Sequence, residues 1–147
     1  MRLSIGCDHG GYDLKVAVMK LLENEFEFVD CGTNDNFTSC DYPDFAIKAA
    51  ELVKDKSCDY GVVICKSGIG VSIAANKVEG IRCALVSDVE SAILTKQHNN
   101  ANMLAMGATK VDAQTAVNII KSWLEATFLE GRHTQRIEKI SSYEQRR

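Results

Sequence analysis

A Rossmann-like three-layer α/β fold, doubly wound around a five-stranded parallel sheet, is the architecture this sequence predicts. Three observations lead there. Five short apolar runs, rich in β-branched residues, alternate with segments of helical periodicity along all 147 residues. No linker, internal repeat or low-complexity tract interrupts that alternation, so the whole span 1–147 reads as one domain. At Val62–Lys77 (VVICKSGIGVSIAANK) an apolar run ends at Cys65, crosses a turn holding Gly68 and Gly70, and enters a small-residue amphipathic stretch. That order is strand, glycine turn, helix. A chain of this size buries about two-thirds of its unfolded surface.

The elements follow in order. Leu3–Cys7 is the first strand. Tyr12–Leu22 is a helix with Leu14, Val18, Leu21 and Leu22 on one stripe. Glu27–Cys31 is the second strand, stopped by Gly32, and Asn34–Asp41 is a polar loop. Pro43, the only proline, suits the first turn of a helix over Asp44–Val53. Asp59–Cys65 is the third strand, with Val71–Lys77 in the helix after it. Ile81–Ser87 is the fourth strand, and Asp88 caps a helix through Gln97, with Ser91 three positions on. Asn102–Met106 is the fifth strand, and Asp112 caps a long helix through Phe128. Gly131–Arg147 closes the chain as a polar helix. Right-handed crossovers between parallel strands then cover both faces of the sheet.

Composition narrows the function classes. Apolar residues make up 46% and charged residues 25%, ordinary for a globular protein. A net charge of −3 gives no general attraction for nucleic acid or acidic lipid. No apolar run approaches the ~20 residues that span a bilayer. The start, MRLSIGCDHGG, has no apolar signal region, so a cytoplasmic location is expected. None of the six cysteines forms a CxxC or has a histidine at zinc-finger spacing. The default is six reduced thiols packed as small apolar residues, with Cys65 and Cys7 set apart as candidates for chemistry.

Ligands in such sheets bind beyond the carboxyl ends of the strands. Those ends here are Cys7-Asp8-His9, Cys31-Gly32-Thr33, Cys65-Lys66-Ser67, Ser87-Asp88 and Met106-Gly107. The helix start after Gly68 offers free N–H groups to an anion, and a thiol beside it is expected to have a lowered pKa. Thiol and anion cradle together point to catalysis. Asp8-His9-Gly10-Gly11 reads either as a turn that opens a helix or as a carboxylate and imidazole at the crevice. His98, followed by Asn99-Asn100, reads either as a helix C-terminus or as an acid–base group. Arg132 and Arg136 share a helix face, either solvated or clamping a phosphate. A metal held by Asp8, His9, His98 and His133 is not expected, because no two of these histidines stand four apart. GxxxxGK[ST] and GxGxxG are both absent, and position 71, where a cysteine phosphatase would carry arginine, is Val71.

These residues resemble a known family. Gly6-Cys7-Asp8-His9-Gly10-Gly11, Asp41-Tyr42-Pro43, the long run from Cys65 to Lys77, Gln97-His98-Asn99 with Asn102, and Gly131-Arg132-His133 with Arg136 resemble the type B ribose-5-phosphate isomerases. Those belong to a sugar-phosphate isomerase family that also holds galactose-6-phosphate isomerase subunits. The resemblance implies interconversion of ribose 5-phosphate and ribulose 5-phosphate, in the non-oxidative branch of the pentose phosphate pathway. It implies no metal and no organic cofactor. It implies a homodimer, often paired into a tetramer, with each site built from both subunits. Carried over by position, Cys65 is the base that moves a proton between C2 and C1. His98 helps open the furanose ring, with Ser67 as the partnering hydroxyl. The N–H groups of Lys66, Ser67, Gly68, Ile69 and Gly70 form the anion hole. Asp8 and Asn99 contact sugar hydroxyls, His9, Arg132 and Arg136 hold the phosphate, and Tyr42 lines the pocket.

The sequence departs from the family in carrying Lys66-Ser67 where Gly-Thr is common. Serine keeps the hydroxyl; Lys66 adds a cation and is strained if position 66 needs a positive φ. No Asp or Glu stands between 71 and 76 to compete with Cys65 as base. Two other readings are a six-carbon aldose phosphate isomerase, such as one acting on galactose 6-phosphate or allose 6-phosphate, and a non-catalytic phosphate-binding module. The Cys65–Ser67–His98 set argues against the module. The tail, about 131–147, carries Ile137, Ile140 and Tyr143 and is expected to pack on the partner subunit.

Overall fold

The computed structural model describes residues 1–146; Arg147, included in the expected last helix, lies outside the described residues. The strands are β1 (Arg2–Cys7), β2 (Glu27–Asp30), β3 (Tyr60–Cys65), β4 (Cys83–Leu85) and β5 (Met103–Gly107). The helices are α1 (Tyr12–Leu21), α2 (Tyr42–Lys54), α3 (Ile69–Ala75), α4 (Val89–Asn99), α5 (Ala113–Glu125) and α6 (Arg132–Glu144). A 3-10 turn, His9–Gly11, joins β1 to α1. All strand pairs are parallel, in the order β2-β1-β3-β5-β4. The chain therefore adopts the expected three-layer fold.

Strand alternation explains the two cores. Leu3, Ile5, Val62, Ile64, Leu104 and Met106 point to one face, where they meet Leu14, Val18 and Leu22 of the first helical segment and Val117, Ile120 and Trp123 of α5. Val63, Cys65, Met103 and Ala105 point to the other, against Ala46, Ala49, Ala50 and Val53 of α2 and Val71 and Ala75 of α3. Apolar residues on both faces of the strands mark a sheet covered on both sides. Cys65 thus belongs to the α2–α3 side. Lys15, almost fully buried, donates to Asp30 Oδ1 and to the Thr33 carbonyl, both at 2.7 Å. That ammonium fastens the loop that leads from β2 toward α2.

Several boundaries differ from expectation for local reasons. The stripe on α1 is narrower than expected: Leu14, Val18 and Leu22 are buried, but Leu21 faces solvent. The helix expected to reach Lys77 ends at Ala75, because the Asn76 side chain is diverted to β4. Its Nδ2 donates to the Cys83 carbonyl at 2.8 Å and its Oδ1 accepts from Cys83 N–H at 2.8 Å. The fourth strand is shorter than Ile81–Ser87 because Asn102 occupies its entry. Its Oδ1 accepts from Arg82 N–H at 2.8 Å and its Nδ2 donates to the Gly80 carbonyl. The long helix stops at Glu125, and the chain then turns so that Leu129 N–H reaches the Gln97 carbonyl at the end of α4. The expected caps form: Asp88 accepts from Ser91 N–H at 2.7 Å and Asp112 from Thr115 N–H at 2.8 Å.

Candidate active site

Strand order reverses between β1 and β3, and a doubly wound sheet opens a crevice at that point. Cys7 lies in register with Ile64, and Cys65 with Gly107, so the turns leaving β1, β3 and β5 emerge at one level. The loop after β3 is tied to the end of β5: Ala108 N–H donates to the Cys65 carbonyl, and Thr109 donates to the Lys66 carbonyl through N–H and hydroxyl. Gly68 takes φ of 79° there, and a side chain on it would strike the backbone of Met106 and Gly107. Lys66 does not have a positive φ, so the strain raised for position 66 falls on Gly68, where glycine bears it.

Cys65 is 5% exposed, and its sulfur accepts Gly68 N–H at 3.2 Å. Ser67 Oγ accepts Ile69 N–H at 3.2 Å. Two of the expected anion-hole donors are therefore engaged within the loop. α3 is only seven residues long, so local N–H groups matter here more than a helix dipole. Tyr42 lies across the first turn of α3: a methyl group on Gly70 would come within 2.6 Å of its Cζ. The Asp8 turn abuts the same loop, since a methyl group on Gly10 would lie 3.4 Å from Asp8 Oδ1 and 3.5 Å from Lys66 Cβ.

Asp8 combines a turn cap with a place at the carboxyl end of β1. It caps the turn, accepting Gly11 N–H through Oδ1 at 3.1 Å, and it stands at the crevice. His9 Nδ1 accepts Cys40 N–H at 3.3 Å, which leaves Nε2 to carry the proton as a donor. Cys40 Sγ is 3.7 Å from the same nitrogen, and no sequence spacing linked these two residues. Asp8, His9, Tyr42, Lys66, Ser67, Gly68, Ile69, Gly70 and Cys65 thus converge on one crevice.

His98, Asn99, Arg132 and Arg136 do not join them within one chain. α4 runs back from Asp88 to the amino ends of the strands. There Arg82 donates to the Asn99 and Asn100 carbonyls, and Gly61 N–H, in register with Met103, reaches the Asn102 carbonyl. The separation along the sheet from there to Cys65 is about 13 Å at the usual rise per residue. At that far end the His98 and His133 rings stack at 4.4 Å with planes 10° apart. Arg132 and Arg136 are exposed beside them. Burial, then His98, Arg132 and Arg136, hold His133 below its ordinary value of 6.5. His133 was legible as part of Gly131-Arg132-His133 but not as the partner of His98.

Cys7 departs from expectation. It is fully buried, and burial pushes its thiol up to about 11; Cys83 reaches about 12 for the same reason, and Cys31 and Cys58 are also raised by burial. Cys7 is therefore a packing residue. Brief treatment of the folded protein with iodoacetamide at pH 8 is expected to label Cys65 and half-exposed Cys40 first, read by peptide mass spectrometry. Equal labelling of Cys7 or Cys83 would contradict this assignment. Among the described residues no three His, Cys, Asp or Glu side chains gather closely enough to hold a metal, and no helix is long and apolar enough to cross a membrane.

Comparison with known proteins places the chain. The model of the Ribose/Galactose Isomerase family matches residues 3–140. Ribose-5-phosphate isomerase B of Escherichia coli is 42% identical over 147 residues, covering 99% of this chain and 98% of that one. Ribose-5-phosphate isomerase B of Clostridium thermocellum superposes with a TM-score of 0.96 at 46% identity, covering 99% of both chains. The enzyme of Mycoplasma genitalium, solved with bound ribulose-5-phosphate, gives 0.93 at 41% identity over 98% of this chain and 96% of that one. With the Cys65 crevice and the five-stranded sheet in place, these matches over nearly the whole length establish that the chain belongs to the ribose/galactose isomerase family.

Proposed function

We propose that this protein is an aldose–ketose isomerase interconverting ribose 5-phosphate and ribulose 5-phosphate through an enediolate. The observation that carries the reading is Cys65: a thiol at the switch-point crevice, receiving Gly68 N–H at 3.2 Å, in a chain of this family. Relatives named ribose-5-phosphate isomerase B support the five-carbon substrate over a six-carbon one.

The chemistry follows from the groups available. His98, with Ser67, moves the proton between the anomeric hydroxyl and the ring oxygen, so the C1–O4 bond breaks and the aldehyde forms. The Cys65 thiolate removes the C2 proton, and the electron pair moves into an enediolate whose negative charge gathers on O1. Backbone N–H groups of the 66–70 loop meet that charge; such a donor is worth roughly 3 kcal/mol in the transition state. The proton returns from Cys65 to C1, and the O2 proton passes to O1 as the C2 ketone forms. Asp8 and Asn99 bind sugar hydroxyls, Tyr42 walls the pocket, and His9, Arg132 and Arg136 hold the phosphate. Neither a metal nor an organic cofactor enters the scheme.

The site is completed by a second copy of the chain. His98, Asn99, Arg132 and Arg136 stand at the opposite end of the sheet from Cys65 in one chain, and a twofold dimer brings each set to its counterpart. The recess beside the Cys65 loop, bounded by Ser67, Ile69, Leu85 and Lys110, holds about 230 Å³, small for a ligand site and in need of a second wall. Ile69 and Ile73, one turn apart on α3, and Leu85 expose apolar surface at its rim. The α6 tail presents Ile140 and Tyr143, although Glu144 is tied to Gly80 of its own chain at 3.0 Å. The homodimer is the working assembly, and pairing of dimers into a tetramer is the further state that the family suggests.

The test is isomerisation itself. Ribose 5-phosphate should yield ribulose 5-phosphate, measured by a ketose-specific assay, at the same rate before and after dialysis against a strong chelator. Faster turnover of a six-carbon aldose phosphate would shift the substrate assignment. Activity lost to the chelator and restored by one divalent ion would remove the proposed mechanism.

A further inference from the structure

We infer that His133 is a positioning residue that holds the His98 ring in the orientation ring opening requires. The inference rests on the role proposed for His98. Among the described residues of α6, His133 is the one that is buried, at 8% exposure. The one buried side chain of a surface helix is normally apolar, because burying an imidazole costs free energy that leucine does not. The imidazole therefore has a use beyond packing. It lies parallel to His98 at 4.4 Å, covering one face of that ring. His98 stands in the last turn of α4, half-exposed, and its side chain makes no hydrogen bond among the described residues, so a flat neighbour is what restricts its second torsion.

The supports of His133 are built into the same corner. Its N–H donates to the Glu130 carbonyl in a turn where Glu130 and Gly131 both take positive φ, and Leu129 N–H binds the Gln97 carbonyl beside His98. The two rings are thus set against each other by backbone bonds from both sides. Burial, then the facing His98, Arg132 and Arg136, lower the pKa of His133, which favours the uncharged ring against a residue that gains and loses a proton.

The chemistry of the two sugars supplies a selective test. Ribulose 5-phosphate cannot close a furanose ring, because its O5 is phosphorylated. Exchange of its C1 proton with solvent therefore needs Cys65 and the anion hole but no ring opening. His133→Ala, His133→Leu and His133→Phe are compared with the parent in two assays: turnover of ribose 5-phosphate, and deuterium wash-in at C1 of ribulose 5-phosphate by NMR. His133→Ala and His133→Leu should lose at least tenfold in turnover while wash-in stays within twofold. His133→Phe, which restores a flat face, should recover most of the loss. Equal loss in both assays, or leucine matching phenylalanine, would show a merely structural role and overturn the inference, and so would an alanine variant at parental turnover. His98→Ala is run alongside. If it shows no selective loss, the ring-opening role fails; if it does and the His133 variants do not, the positioning inference fails alone.

Discussion

Replacing Cys65 with alanine leaves a folded protein that binds ribose 5-phosphate and turns it over about a thousandfold more slowly, or not detectably. The size follows from general-base catalysis, which contributes about 10²–10⁴-fold when the base is removed. No carboxylate between 71 and 76 stands ready to replace it. The fold should survive, since the change removes one sulfur from the α2–α3 core and a deletion that small costs about 1 kcal/mol. Thiol alkylation should inactivate the parent, and substrate should protect it. Turnover within tenfold of the parent, about 1.4 kcal/mol of barrier, would exclude Cys65 as the base.

Arg132→Ala and Arg136→Ala should each raise KM for ribose 5-phosphate about 10- to 100-fold, the effect of losing one charge-assisted hydrogen bond worth about 1.5–3 kcal/mol. Both side chains are exposed in the single chain and carry no ion pair among the described residues, so removing either leaves no buried charge unpartnered. The loss should be specific to the phosphate. Unphosphorylated ribose, measured as kcat/KM, should change by less than about twofold. An equal loss on both sugars would make the arginines structural and end the clamp assignment.

How much of this was legible in the sequence depends on the kind of interaction. The alternation of β1 to β5 with α1 to α5 followed from apolar period, and the caps at Asp88 and Asp112 from residue type. The Asn76 and Asn102 side chains that end α3 and shorten β4 could not be read, because they bond to backbone outside their own elements, 7 and 20 residues away. Cys7 was set apart with Cys65 as a candidate for chemistry, but strand parity turned it into the α1–α5 core. The division of the site was present in the pattern and needed only topology. A helix that follows a strand in a parallel sheet returns to the amino ends, so His98 had to lie away from Cys65. The His98–His133 stack was not legible, because it depends on how α6 docks against α4.

The central claim is that two chains share each isomerase site, and complementation tests it most directly. Cys65→Ala and His98→Ala chains, each nearly inactive alone, are co-expressed in equal amounts and purified together without separating the dimer species. One site of a mixed dimer then pairs an intact Cys65 with the partner subunit's intact His98, and the other carries both lesions. Random pairing makes half the dimers mixed, each with one working site, so the preparation should regain about a quarter of parental turnover of ribose 5-phosphate. No recovery, with mixed dimers demonstrated by native mass spectrometry and the parent active in the same assay, would show that each chain carries its own complete site.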